Sequence, residues 1–120
     1  MLFFLFIADM HTTSEFIGNA IYLLLTEGDV WDRVTADRVG LLSKYVEEAL
    51  RLLPPMRIRL RLVSRDVDLA GTSIKKGDAG CTLNAAANRD PDHYPCPHAV
   101  DVTRTPITGH LVVCQANFKQ

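Results

Sequence analysis

A mainly α fold with small β-sheet elements is what this sequence predicts, on three observations. Apolar residues recur at helical spacing through roughly the first 53 positions. Pro54-Pro55 then closes the helical stretch, because a residue ahead of proline is pushed out of the helical backbone region. Past it the period shortens to two: Arg57, Arg59 and Arg61 alternate with Ile58, Leu60 and Leu62, the mark of a strand with one charged and one apolar face.

Each element follows in order. Residues 2 to about 26 read as one helix, since Ile7, Phe16, Ile17, Ala20, Ile21, Leu24 and Leu25 keep helical spacing and Gly28 stands where a C-terminal cap belongs. Asp29 is placed to cap a short helix through Trp31 and Val34. A longer helix runs from Asp37 or Gly40 to Leu53. In the second half, Val67-Asp68-Leu69 and Thr72-Ser73-Ile74 flank Ala70-Gly71 as a hairpin. Lys75-Lys76-Gly77-Asp78 makes the next turn, and a short strand follows near Gly80 to Leu83. From Asn84 onward the chain reads as mostly loop, punctuated by Pro91, Pro95, Pro97 and Pro106. With no repeats and no linker, residues 1–120 read as a single domain: 1–53 helical, 54–83 strands and hairpin, 84–120 a loop region.

Composition narrows the function. At 120 residues and 48% hydrophobic content the chain is sized for one small core. Thirteen basic and fourteen acidic side chains leave a formal charge of -1, which gives no electrostatic case for nucleic acid or an anionic membrane. Three cysteines, Cys81, Cys96 and Cys114, are odd in number and widely spaced, so neither a disulfide framework nor a zinc knuckle is indicated. The apolar start, Met1 to Ile7, has no basic residue near it, the first being Arg33, and no small-residue cleavage site. Asp9 interrupts it far short of the roughly 20 residues a membrane span needs. It reads as a buried helix turn, with a start inside a longer helix and a cytoplasmic location.

Four short motifs carry the chemistry. Glu48 and Arg51 lie three residues apart, on one helix face; composition alone makes them a solvated surface pair. Ala87-Asn88-Arg89-Asp90-Pro91 by itself is a polar turn, with Asn and Asp bonding their own backbone. Asp101-Val102-Thr103-Arg104 and His110-Leu111 follow, and upstream Thr12-Thr13 end the run Ala8-Asp9-Met10-His11 on the first helix. His93, Cys96 and His98 form a His-x-x-Cys-x-His cluster, but zinc usually takes four ligands and no fourth is evident. That cluster reads as a proline-bound loop, and no metal site is assigned.

Taken in sequence, these motifs resemble the cytochrome P-450 (haem-thiolate monooxygenase) family. The resemblance reaches to about Leu111 and implies an interior slice of that fold, from the oxygen-activation helix to just before the haem-binding cysteine. It implies that Glu48 and Arg51 are buried and joined by Arg104, a structural network steadying the loop that presents the iron ligand. It implies that the Thr12 hydroxyl is catalytic, donating a hydrogen bond to iron-bound oxygen during proton delivery. Asp9 and His11 depart from the family's glycine and acid there. Arg61, ten residues before Gly71, and His110 match partners of the haem propionates, and Met56 to Leu60 match a substrate-contact strand. The family continues His-Leu-(Ala or Ser)-Phe-Gly-x-Gly-x-x-x-Cys; here Val113 and Cys114 replace Phe-Gly, Ala116 the second glycine, and Gln120 the cysteine.

The resemblance therefore implies a haem b-dependent oxidoreductase, inserting one oxygen atom of O2 into a small organic substrate with electrons from a ferredoxin or flavoprotein reductase. The altered tail sets a second expectation beside it: a truncated, non-catalytic remnant without the thiolate that this chemistry needs. A small helical interaction module, using the exposed face of the first helix, is the third.

Overall fold

The computed structural model describes residues 2–105 and 109–111, with side chains from Met10 onward. Pro106, Cys114 and Gln120 lie outside the described residues, as do the side chains of Ile7 and Asp9.

The apolar first stretch forms one 25-residue helix, α1 (Leu2–Thr26). Gly28, at φ +42°, turns the chain beyond it, a left-handed backbone that glycine adopts without a Cβ clash. The next helix, α2 (Val30–Ala36), begins after Asp29, but that side chain makes no cap hydrogen bond. Its carboxylate lies 3.9 Å from Arg33 instead. Asp37 does cap α3 (Arg38–Leu52), accepting from the Gly40 amide at 2.9 Å, which satisfies one of the orphan donors of a helix start.

The core sits where these helices meet. Leu23, Val30, Val34, Tyr45, Ala49 and Leu52 are buried together, with Val102 from the later loop completing the cluster. Both α1 and α2 pack on α3. The Tyr45 hydroxyl donates to the Ala20 carbonyl and so ties α3 to α1. Burial pushes its phenol up from 10.0 to about 12, because a phenolate would lose its hydration there. The Asn19 amide donates to the Leu53 carbonyl at 3.3 Å, occupying an acceptor freed where α3 ends.

Four strands follow: β1 (Arg59–Leu62), β2 (Val67–Leu69), β3 (Thr72–Ile74) and β4 (Ala79–Thr82). They form two separate antiparallel pairs. β2 and β3 make the expected hairpin, Leu69 opposite Thr72, with Ala70 at φ 51° and Gly71 at φ 80° in its turn. Positive φ at both central residues is the tight hairpin turn whose twist matches the strands. β1 pairs with β4, Leu60 opposite Cys81 and Leu62 opposite Ala79. Arg57 and Ile58, expected in this strand, precede it. Its alternation holds, yet Leu60 and Leu62 are 77% and 76% exposed. Among the described residues nothing covers the apolar face of this sheet.

One expectation needs correction. Asn84–Ala87 is a single helical turn, α4, rather than loop. Three successive alanines favour helix more than any other residue, and Asn84 is buried with its amide on the Met56 carbonyl at 3.4 Å. Among the described residues no helix is long and apolar enough to cross a membrane.

Candidate functional site

The last two turns of α3 present Glu48 and Arg51 to the inner side of the helix, where the loop after α4 wraps over them. Both side chains are 0% exposed as residues. Arg51 Nε donates to Glu48 Oε2 at 2.9 Å and Nη2 to Glu48 Oε1 at 2.7 Å, a bidentate, charge-assisted pair. Its three remaining N–H groups reach the carbonyls of Asn88 (2.8 Å), Pro97 (2.8 Å) and Ala99 (3.1 Å). A guanidinium has five donors. All five are satisfied here.

Glu48 gathers a second set. Its Oε1 also accepts from the Asp101 amide at 3.1 Å and from Arg104 Nε at 3.4 Å, while Arg104 Nη1 donates to the Pro95 carbonyl at 2.9 Å. Tyr94 stacks beneath both cations, its ring centroid 5.0 Å from the Arg51 guanidinium carbon and 5.8 Å from that of Arg104. Cation–π attraction is stronger in such a desolvated setting. Asp101 closes the loop locally. Its carboxylate accepts from the Thr103 hydroxyl (2.6 Å) and amide (2.9 Å), and these bonds, with smaller contributions from Arg104 and Arg33, hold it below the usual carboxylate range.

Composition alone made Glu48 and Arg51 a surface pair; the structure buries them completely. It also corrects the reading of Asn88. Asp90 does bond locally, its carboxylate accepting from the Asp92 amide at 3.0 Å. The Asn88 side chain does not: it is buried, and its Oδ1 accepts from the Leu111 amide at 2.7 Å. Tyr94 and the carbonyls of Pro97 and Ala99 were not anticipated. The prolines of that loop were the available signal, since a chain that cannot be helical leaves its carbonyls open to other donors.

The three residues matched to cofactor chemistry lie elsewhere. Thr12 is half-buried on α1, where Met10, Ile17 and Ile21 are exposed. His11 faces Glu15 one turn on, at 3.8 Å. Arg61 is exposed on β1. His110 sits against α3, its Nε2 2.7 Å from Glu47 Oε2.

These donors can be weighed against a flat apolar macrocycle that carries two carboxylates. An exposed apolar helix face suits its surface, and a strand bearing Arg59 and Arg61, with Arg57 just ahead of it, suits its acids. An axial sulfur is a separate matter. Of the cysteines, Cys81 and Cys96 are both exposed and free, and the described residues include no group of three or more His, Cys, Asp or Glu arranged for a metal ion. The fit is to one face and the rim.

A long helix packed on the helix that carries a buried Glu-x-x-Arg pair, with a loop arginine returning to the same carboxylate, is the framework of the haem-thiolate class. The sequence model described as Cytochrome P450 matches residues 2–104. The 6-deoxyerythronolide B hydroxylase of Saccharopolyspora erythraea is 37% identical over 107 residues, covering 89% of this chain and 26% of that protein. The vitamin D(3) 25-hydroxylase of Pseudonocardia autotrophica is 38% identical over 110 residues, covering 91% and 27%. Among solved structures, that of the tirandamycin C-bound P450 monooxygenase TamI superposes with a TM-score of 0.85 at 37% identity, covering 93% of this chain and 28% of that one. This chain belongs to the cytochrome P450 family, whose cofactor is haem. It spans about a quarter of the length of the curated relatives it matches.

Proposed function

We propose that this chain serves haem-dependent monooxygenation of a small organic substrate, with electrons supplied by a ferredoxin or a flavoprotein reductase. The observation that carries the reading is the buried Glu48–Arg51–Arg104 knot, within a chain matched to the family over residues 2–104. Haem, when bound, supplies the redox chemistry of dioxygen activation. The chain's own residues do the holding. Thr12, half-buried on the oxygen-activation helix, offers a hydroxyl that can hold or pass a proton. Arg61 on β1 offers a cation to a propionate. Glu48, Arg51 and Arg104 fix the loop from Pro95 to Arg104 on α3 and are not themselves catalytic. The same reading keeps the chain off nucleic acid and membranes, in the cytoplasm.

One sequence fact favours a second reading. Gln120 stands where the family pattern has its cysteine, and a carboxamide cannot replace an anionic sulfur donor. The chain would then be a non-catalytic remnant. Haem titration followed by reduction and CO separates the two. A strongly red-shifted Soret band, the mark of thiolate ligation, supports the monooxygenase. Haem bound without that shift, or no haem bound, supports the remnant.

A further inference from the structure

Glu47 and Glu48 are neighbours on α3, yet they serve different partners. Successive residues of a helix point about 100° apart, so while Glu48 turns into the knot, Glu47 faces a different part of the chain. It meets His110. The imidazole Nε2 lies 2.7 Å from Glu47 Oε2, and the His110 side chain is only 9% exposed against 33% for Glu47. One residue on, the Leu111 amide donates to Asn88 Oδ1 at 2.7 Å. A three-residue stretch, Gly109-His110-Leu111, is therefore fastened at two points: to α3 through Glu47, and to the loop after α4 through Asn88.

The chemistry of the contact decides its polarity. An ionised carboxylate only accepts hydrogen bonds, so the proton in the Glu47 contact belongs to Nε2. Among the described residues Nδ1 is buried with no hydrogen-bond partner.

We propose that His110 is a positioning residue: with Glu47 and Asn88 it clasps the Gly109–Leu111 stretch onto α3. The clasp does not depend on the function proposed above. Asn88 serves both structures, its carbonyl accepting from Arg51 and its side chain from Leu111, so the clasp is anchored to the knot.

The test is amide hydrogen exchange of the full chain, read at Leu111, for the parent, His110→Leu, Glu47→Leu, both together, and His110→Gln. A hydrogen bond to a charged group contributes on the order of tenfold to a hundredfold to local closure. Both leucine variants should speed Leu111 exchange by at least about tenfold, the double variant no further, and His110→Gln, which keeps a donor, should recover most of the protection. Nitrogen-15 spectra of the parent should show His110 with its proton on Nε2. Leu111 exchange within twofold of the parent in Glu47→Leu would overturn the proposal, as would independent, multiplying effects of the two leucines. Glu47 is partly exposed, so that variant decides even if His110→Leu fails to fold. Weakened haem binding by His110→Leu with unchanged Leu111 exchange would return the residue to a propionate role and also overturn it. Failure of the CO experiment leaves all of these readings intact.

Discussion

Two regions of this molecule invert the usual partition of polar and apolar groups. Around Glu48 and Arg51, ionised side chains are buried beneath a loop, and every donor of Arg51 is met. On β1, Leu60 and Leu62 stand exposed, opposite Cys81 and Ala79 on a sheet face that nothing described covers. Burying a charge is tolerable only when it is paired and its remaining donors are met. Exposing a leucine costs little locally, because large apolar surfaces are common in the folded state, but a contiguous patch marks a surface suited to a partner. The knot is closed chemistry. The sheet face is open.

The sharpest way to break the contrast is at Arg51. Arg51→Leu strips the buried Glu48 of its bidentate cation, leaving only the 3.4 Å contact with Arg104, and frees the carbonyls of Asn88, Pro97 and Ala99. A loss of about 3–5 kcal/mol is expected, read as a fall in the urea midpoint. Arg51→Lys keeps the charge but not the planar fork, and should fall between that variant and the parent.

Tyr45 gives a smaller effect with a pH signature. Tyr45→Phe removes the bond to the Ala20 carbonyl and should cost about 1 kcal/mol near neutrality. With the folded pKa raised to about 12 from 10.0, the folded state holds a proton that the unfolded chain gives up first. Stability should therefore fall as pH rises from 10 toward 12, by at most about 1.4 kcal/mol per pH unit. Tyr45→Phe should remove that slope, and ultraviolet titration should lose one late-ionising phenol.

The smallest effect on stability belongs to the open face. Leu60→Thr with Leu62→Thr should change the unfolding free energy by no more than about 0.5 kcal/mol per site, while lowering the fluorescence of a hydrophobic dye. A large destabilisation would mean that the face is covered in solution, and the contrast between the two regions would dissolve.

The sequence showed the elements better than their surroundings. Helical spacing located α1 and α3, and the two short runs flanking Ala70-Gly71 located the β2–β3 turn. The run Ala85-Ala86-Ala87 carried a helix signal that the surrounding polar residues and prolines outweighed, so α4 went unread. The spacing of Glu48 and Arg51 gave their common face, not its burial, because the carbonyls that complete Arg51 come from residues 37 to 48 positions away. Only the family resemblance supplied that, together with the return of Arg104. Likewise, the period of two on β1 could say which residues share a face but not whether anything lies against it. Distance along the chain is what local patterns cannot see.

Gly109 shows where such blindness has a genetic cost. It adopts φ +135°, and among the described residues nothing beyond its chain neighbours lies within 4 Å of where a Cβ would sit. A table of touching atoms would therefore score substitution there as silent. The backbone says otherwise: an L side chain is strained at that torsion whatever the room around it, and the residue that would be swung out of place is its neighbour. A lesion at this codon would be felt at the histidine that follows it.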